Sequence, residues 1–150
     1  MITALLSRLR IVVVTFWAGS LWTVGYVIAP LLFATLTDRT QAGSLAGLFF
    51  KAEAWISLVC GVSLLAMLWT DKQNPSRIYL IKLVIAMLLC TVIGYFGLQP
   101  FMAELRSIAA QSGGVMDDAV RSRFGLLHGA ASAIYLIQSV LAFGLVLKSK

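Results

Sequence analysis

The run IYLIKLVIAMLLCTVIGYFGLQP, Ile78 to Pro100, carries Lys82 as its only charge and decides the class of this chain. A hydrocarbon core about 30 Å thick is crossed by about 20 apolar residues of helix, and this run is that long. Working outward, Ile11 to Leu36, Leu48 to Trp69 and Phe124 to Leu147 are runs of the same kind. Mean hydropathy is +0.92, and charged residues make up 12% where soluble domains carry about a quarter. The expected fold is an all-α integral membrane protein, an antiparallel four-helix transmembrane bundle with the lipid bilayer as its first partner. So little chain lies outside the spans that residues 1–150 are expected to form one domain.

Arg8 and Arg10 precede the first run as they would in a signal peptide. That run exceeds an h-region of about 7 to 15 residues, and Ala18-Gly19-Ser20 offers no convincing cleavage site, so helix 1 is expected to stay. The net charge of +6 reads as a topology signal rather than a nucleic-acid footprint. Arg8, Arg10, Lys72, Arg77, Lys82, Lys148 and Lys150 gather on one side against Asp71. The other side mixes Arg39, Lys51, Arg106, Arg121 and Arg123 with Asp38, Glu53, Glu104, Asp117 and Asp118. Both termini are therefore expected in the cytoplasm.

Asp71, Asn74 and Pro75 predict a short turn that makes helices 2 and 3 antiparallel neighbours. Asp38 or Thr40 is expected to cap an early start of helix 2, and Asp117 and Asp118 to open helix 4 after a stop at Gly113-Gly114. Helix 3 is expected to run past Pro100, with a kink there, and to protrude from the membrane. No repeat relates the two halves, as an inverted-repeat transporter would require.

Helix packing in lipid favours small and weakly polar residues, and each span offers a stripe of them. These are Thr15, Gly19, Thr23, Tyr26 and Pro30; Glu53, Ser57, Cys60 and Gly61; Lys82, Ala86, Cys90, Gly94 and Gly97. Helix 4 contributes Gly125, His128, Gly129, Ser132, Tyr135 and Ser139, including a G-x-x-x-G at Gly125 and Gly129. Their plain reading is the interior of the bundle.

Ionisable groups inside a membrane cost about 2.5 to 3.5 kcal/mol each on insertion scales, which singles out His128, the only histidine. Tyr26, Glu53, Gln99 and Arg123 fall at similar depth, with Ser132 one turn along, so these residues are the candidate ligand-binding set of an outward-facing polar pocket. His128 is either an axial haem ligand, a metal ligand or proton carrier, or a hydrogen-bonded residue pinning helices. Lys51, Lys82, Arg121 and Arg123 read as interface anchors. Cys60, Met87 and Cys90 share a depth and have the soft donors that suit copper, although buried cysteines also serve as ordinary packing residues. No nucleophile with its base, phosphate-cradling loop or zinc motif is present, so no catalytic residue is assigned.

The run Gly25-Tyr26-Val27-Ile28-Ala29-Pro30-Leu31-Leu32-Phe33, followed by Leu36-Thr37-Asp38-Arg39-Thr40-Gln41-Ala42-Gly43, resembles the first helix and loop of a family of small four-helix bacterial membrane proteins. That family carries a domain of unknown function (four-one-four-nine). Phe124-Gly125-Leu126-Leu127-His128-Gly129 with Ser132 is similar to its helix 4 motif of Phe, His-Gly and Ser. About two turns after the His, where the family pattern is expected to have Asn, this chain has Tyr135. The resemblance implies a small protein of the bacterial inner membrane. An animal relative is associated with platinum-drug resistance, and the wider group looks related to copper-resistance membrane proteins and to a haem-linked protoporphyrinogen oxidase.

Three functions follow as alternatives. The first is a noncatalytic or accessory bundle whose pocket around His128 takes a ligand, a metal or a partner helix, alone, as a homo-oligomer or in a larger membrane complex. The second is a haem-dependent oxidoreductase with His128 on the iron. The third is a copper or other metal tolerance protein using Cys60, Met87 and Cys90.

Overall fold

A computed structural model describes residues 2–72, 74–111 and 116–149, and among them are helices and short connectors without a strand. Helix α1 covers 2–35, with a π-helical stretch at Val24–Ile28. Helix α2 is Arg39–Thr70. Helix α3 covers 77–111 and is π-helical over Val92–Leu98, and α4 is Asp118–Lys148. All four are long and apolar enough to cross a membrane. Lipid offers the backbone no hydrogen bonds, so runs of this composition close their bonds internally as helices.

The ends are built by local polar chemistry. Asp38 accepts the Thr40 N–H at 2.8 Å, and Asp117 accepts the Val120 N–H at 2.7 Å. Each satisfies a backbone donor that the first turn leaves open, so α2 starts well before Leu48 and α4 before Phe124, as expected. Between α2 and α3, Asn74 Oδ1 accepts the Ser76 N–H at 2.8 Å and Arg77 Nε donates to the Leu68 carbonyl at 2.7 Å. Arg10 Nη1 pairs with Asp71 at 2.8 Å and ties α1 to this turn. The stop expected at Gly113-Gly114 lies outside the described residues.

Each helix packs on two others, α1 and α3 both lying against α2 and α4. Along α1 and α2, Arg10 meets Asp71, Trp17 meets Ser57 and Phe33 lies by Gly43. Close packing is concentrated in one cluster, where Trp17, Leu21, Leu64, Leu68, Leu80, Val84, Met87 and Leu145 interlock. Phe16, Trp55, Val59, Ile85, Leu126, Val140 and Phe143 face outward, where they suit lipid.

This placement corrects the reading of the stripes. On α2 the expected residues Glu53, Ser57, Cys60 and Gly61 are buried. On α1, Thr15 and Thr23 are exposed and Tyr26 and Pro30 line a cavity between the helices, while the buried face is Val14, Trp17, Ala18, Leu21 and Val24. On α3, Leu80, Leu83, Val84, Met87 and Thr91 are buried rather than Lys82 and Gly97. A Cβ on Gly125 or Gly129 would meet no described atom within 4 Å, so the G-x-x-x-G brings no described helix close. Large side chains in contact gain dispersion energy, and on α1 and α3 they, rather than the smallest residues, mark most of the packed face.

Candidate functional site

Between the four helices lies an open-sided cavity of about 850 Å³. Two backbone irregularities border it, and each precedes a proline. A helical proline removes one N–H and crowds the carbonyl four residues back, which for Pro30 is that of Tyr26 and for Pro100 that of Phe96. Both carbonyls fall inside a π-helical stretch, whose wider turn accommodates the ring. Thus α3 continues as helix through Pro100, with a π-helical distortion over Val92–Leu98 just before it.

Two side chains of α4, three positions apart, hold these junctions. The Tyr135 hydroxyl donates to the Leu21 carbonyl at 2.6 Å, and the Gly25 N–H points at the hydroxyl oxygen. A regular α-helix bonds that N–H to that carbonyl, so the phenol sits against the ladder of α1 where the π-helical stretch begins. On α3 the Thr91 hydroxyl donates to the Met87 carbonyl at 3.2 Å, and Gln138 Nε2 donates to Thr91 Oγ1 at 3.0 Å.

The inner end of the cavity is polar. Trp17 Nε1 donates to Ser57 Oγ at 2.8 Å, and Ser57 Oγ donates to Glu53 Oε1 at 3.4 Å. Glu53 is 3% exposed, and its Oε2 has no hydrogen-bond partner. The nearby Ser20 hydroxyl gives its proton to the Trp17 carbonyl at 2.9 Å. Tyr135 stands edge-on to Phe50, ring centroids 5.3 Å apart, and to Tyr26 at 6.4 Å.

At the other end Arg106 joins α3 to α2. Its Nη1 donates to the Gly43 carbonyl and its Nη2 to Gln99 Oε1, both at 3.2 Å. His128 is exposed, and its ring lies parallel to that of Phe124 with centroids 6.0 Å apart. Tyr26, Glu53, Gln99, His128 and Ser132 all line the one cavity, while Arg123 is exposed and does not. Trp17, Arg106, Tyr135 and Gln138 organise the site without having been singled out for it. A polar or aromatic residue in an apolar span was the available signal.

Cys60 and Met87 belong to the packed core, whereas Cys90 lines the cavity. Among the described residues no three His, Cys, Asp or Glu side chains gather as a metal site. The exposed imidazole of His128, stacked on Phe124, is held for contact at the rim rather than in the depth of the cavity.

Fold and site together define a multi-pass helical membrane protein whose bundle is packed at one end and hollow at the other. The model of a domain of unknown function, DUF4149, matches residues 12–111, and the chain belongs to that family. The match takes in most of α1 and all of α2 and α3, and leaves the His128 motif of α4 outside it. No curated protein and no solved structure matches the chain.

Proposed function

We propose that this protein is a noncatalytic bundle of the bacterial inner membrane that holds a small apolar or amphipathic ligand. Its helices alternate in direction, with both termini in the cytoplasm and the hollow half toward the outer face. The orientation rests on Arg8, Arg10, Lys72, Arg77, Lys82 and Lys148, which all belong to the termini or to the turn near them.

The observation that carries the ligand reading is the cavity itself. Its volume of about 850 Å³ falls within the roughly 300 to 1,000 Å³ of small-molecule sites. Such sites pair apolar walls with a few convergent polar groups, here Glu53, Ser57, Thr91 and Gln138 at one end and Gln99 and His128 toward the other. Entry from the membrane's outer region would bring the ligand past His128 and Tyr26.

The test uses protein in phosphatidylcholine nanodiscs and a compact neutral probe, 1-adamantanol, followed by ligand-observed NMR against empty nanodiscs. Saturable binding to the wild type and its loss in Ser132→Trp, which fills the cavity from α4, are expected. Binding that is absent, or indifferent to Ser132→Trp in a folded variant, overturns the reading. The same preparation is expected to be colourless; a Soret band abolished by His128→Ala would establish the haem alternative instead.

A further inference from the structure

We infer that the cavity takes an organic cation, an amphiphile bearing an ammonium nitrogen, and that Glu53 is the group that pairs with it. This rests on the ligand-cavity reading above and names the ligand class. Glu53 lines the cavity, is 3% exposed and leaves Oε2 without a hydrogen bond. Among the described residues it has no ion pair; Lys51, two positions away, is exposed.

The carboxyl is also held in place. Ser57 fixes its Oε1 and is itself fixed by the Trp17 indole, and Ser20, bonded to the Trp17 carbonyl, stands beside the carboxyl. With no hydrogen bond to Oε2 among the described residues, that oxygen is open to a donor from outside the chain. Buried polar groups are rarely left unpaired, and a buried charge needs a partner.

Ligand chemistries differ in how they answer that need. An acyl chain leaves Oε2 unpaired, and an anionic group opposes the carboxylate. A hydroxyl supplies one donor and no charge. An ammonium supplies both N–H donors and the countercharge, and charge-assisted hydrogen bonds are about twice as strong as neutral ones. The rings of Tyr135 and Phe50, both on the cavity wall, add faces that attract a cation. The Arg106 guanidinium is bonded to the Gly43 carbonyl, a position about 15 Å along α2 from Glu53, so it does not compete at the carboxyl.

The experiment compares three probes of one shape, 1-adamantylammonium, 1-adamantanol and adamantane-1-carboxylate, on wild type and Glu53→Gln in neutral nanodiscs. Wild type should bind the ammonium at least about tenfold more tightly than the alcohol, a difference of about 1.4 kcal/mol, and the carboxylate most weakly. Glu53→Gln should bring the ratio of ammonium to alcohol affinity down to about one, from at least about tenfold in wild type. Equal affinity of wild type for ammonium and alcohol overturns the cation inference while the cavity reading stands. Binding of none of the three overturns the cavity reading and the inference with it. Should Glu53→Gln fail to assemble, the wild-type ratio of ammonium to alcohol decides.

Discussion

Gly25→Ala is expected to destabilise the bundle although alanine is the better helix former. A Cβ on Gly25 would overlap Cε1 of Tyr135, with Cζ at 3.0 Å and the hydroxyl at 3.1 Å. The ring is not free to swing, because its hydroxyl is bonded at 2.6 Å to the Leu21 carbonyl and its edge is packed on Phe50 and Tyr26. A hydrogen bond between membrane helices is worth about 0.6 to 1.7 kcal/mol, and an aromatic pair about 0.5 to 1.5 kcal/mol. Displacing Tyr135 loses one such bond and weakens two pairs, roughly 2 to 4 kcal/mol in all, against about 1 kcal/mol gained in helix propensity. The net loss should be about 1 to 3 kcal/mol. A double-mutant cycle with Tyr135→Ala, read by reversible unfolding in bicelles, isolates the term. In that background Gly25→Ala should become neutral or stabilising. A Gly25→Ala protein as stable as wild type, or a cycle that is additive, would refute the close packing of the phenol against α1 at Gly25.

Gly125→Ala and Gly129→Ala should leave stability unchanged or raise it by up to about 1 kcal/mol in the same assay, since no described atom opposes a Cβ there; a loss would mean that the G-x-x-x-G packs on another molecule. Asp71→Asn removes the partner of Arg10, whose side chain is 7% exposed. With Asp71 itself 26% exposed, a cost of about 1 to 3 kcal/mol is expected, below the 3 to 5 of a fully buried pair, and Arg10→Met in the same chain should restore much of it. In a background with Cys60→Ala and Cys90→Ala, a membrane-impermeant maleimide applied to intact cells should label Thr37→Cys and spare Lys72→Cys. The reverse pattern would invert the assigned orientation.

The membrane class and the helix limits were legible because they rest on local quantities. Run length sets the spans, and Asp38 and Asp117 set two starts through bonds to residues two and three positions on. Which face of each helix turns inward was harder to read. In water the polar face of a helix points outward and betrays its orientation, but here Phe16 toward lipid and Trp17 toward the core are equally apolar. The small-residue rule therefore found the buried face of α2 and missed that of α1, where Trp17 and Leu21 occupy it. Similarly, the shared depth of Tyr26, Glu53, Gln99 and His128 could be counted along the chain, and the structure sets all four on one cavity. The role of Tyr135 could not be counted. It depends on a carbonyl 114 positions away in α1, exposed by a π-helical step that a proline requires but does not locate.

Gathering the interlocked side chains in one cluster has an evolutionary consequence. Most residues that border the hollow half carry little of the energy that holds the helices together, so substitutions there spend little of the margin by which the protein stays folded. Trp17, Leu64, Leu80, Met87 and Leu145 can stay constant as a base while the walls around Glu53 are retuned. A fold divided in this way can change the lining of its hollow half by single substitutions, without first acquiring compensating changes in its core.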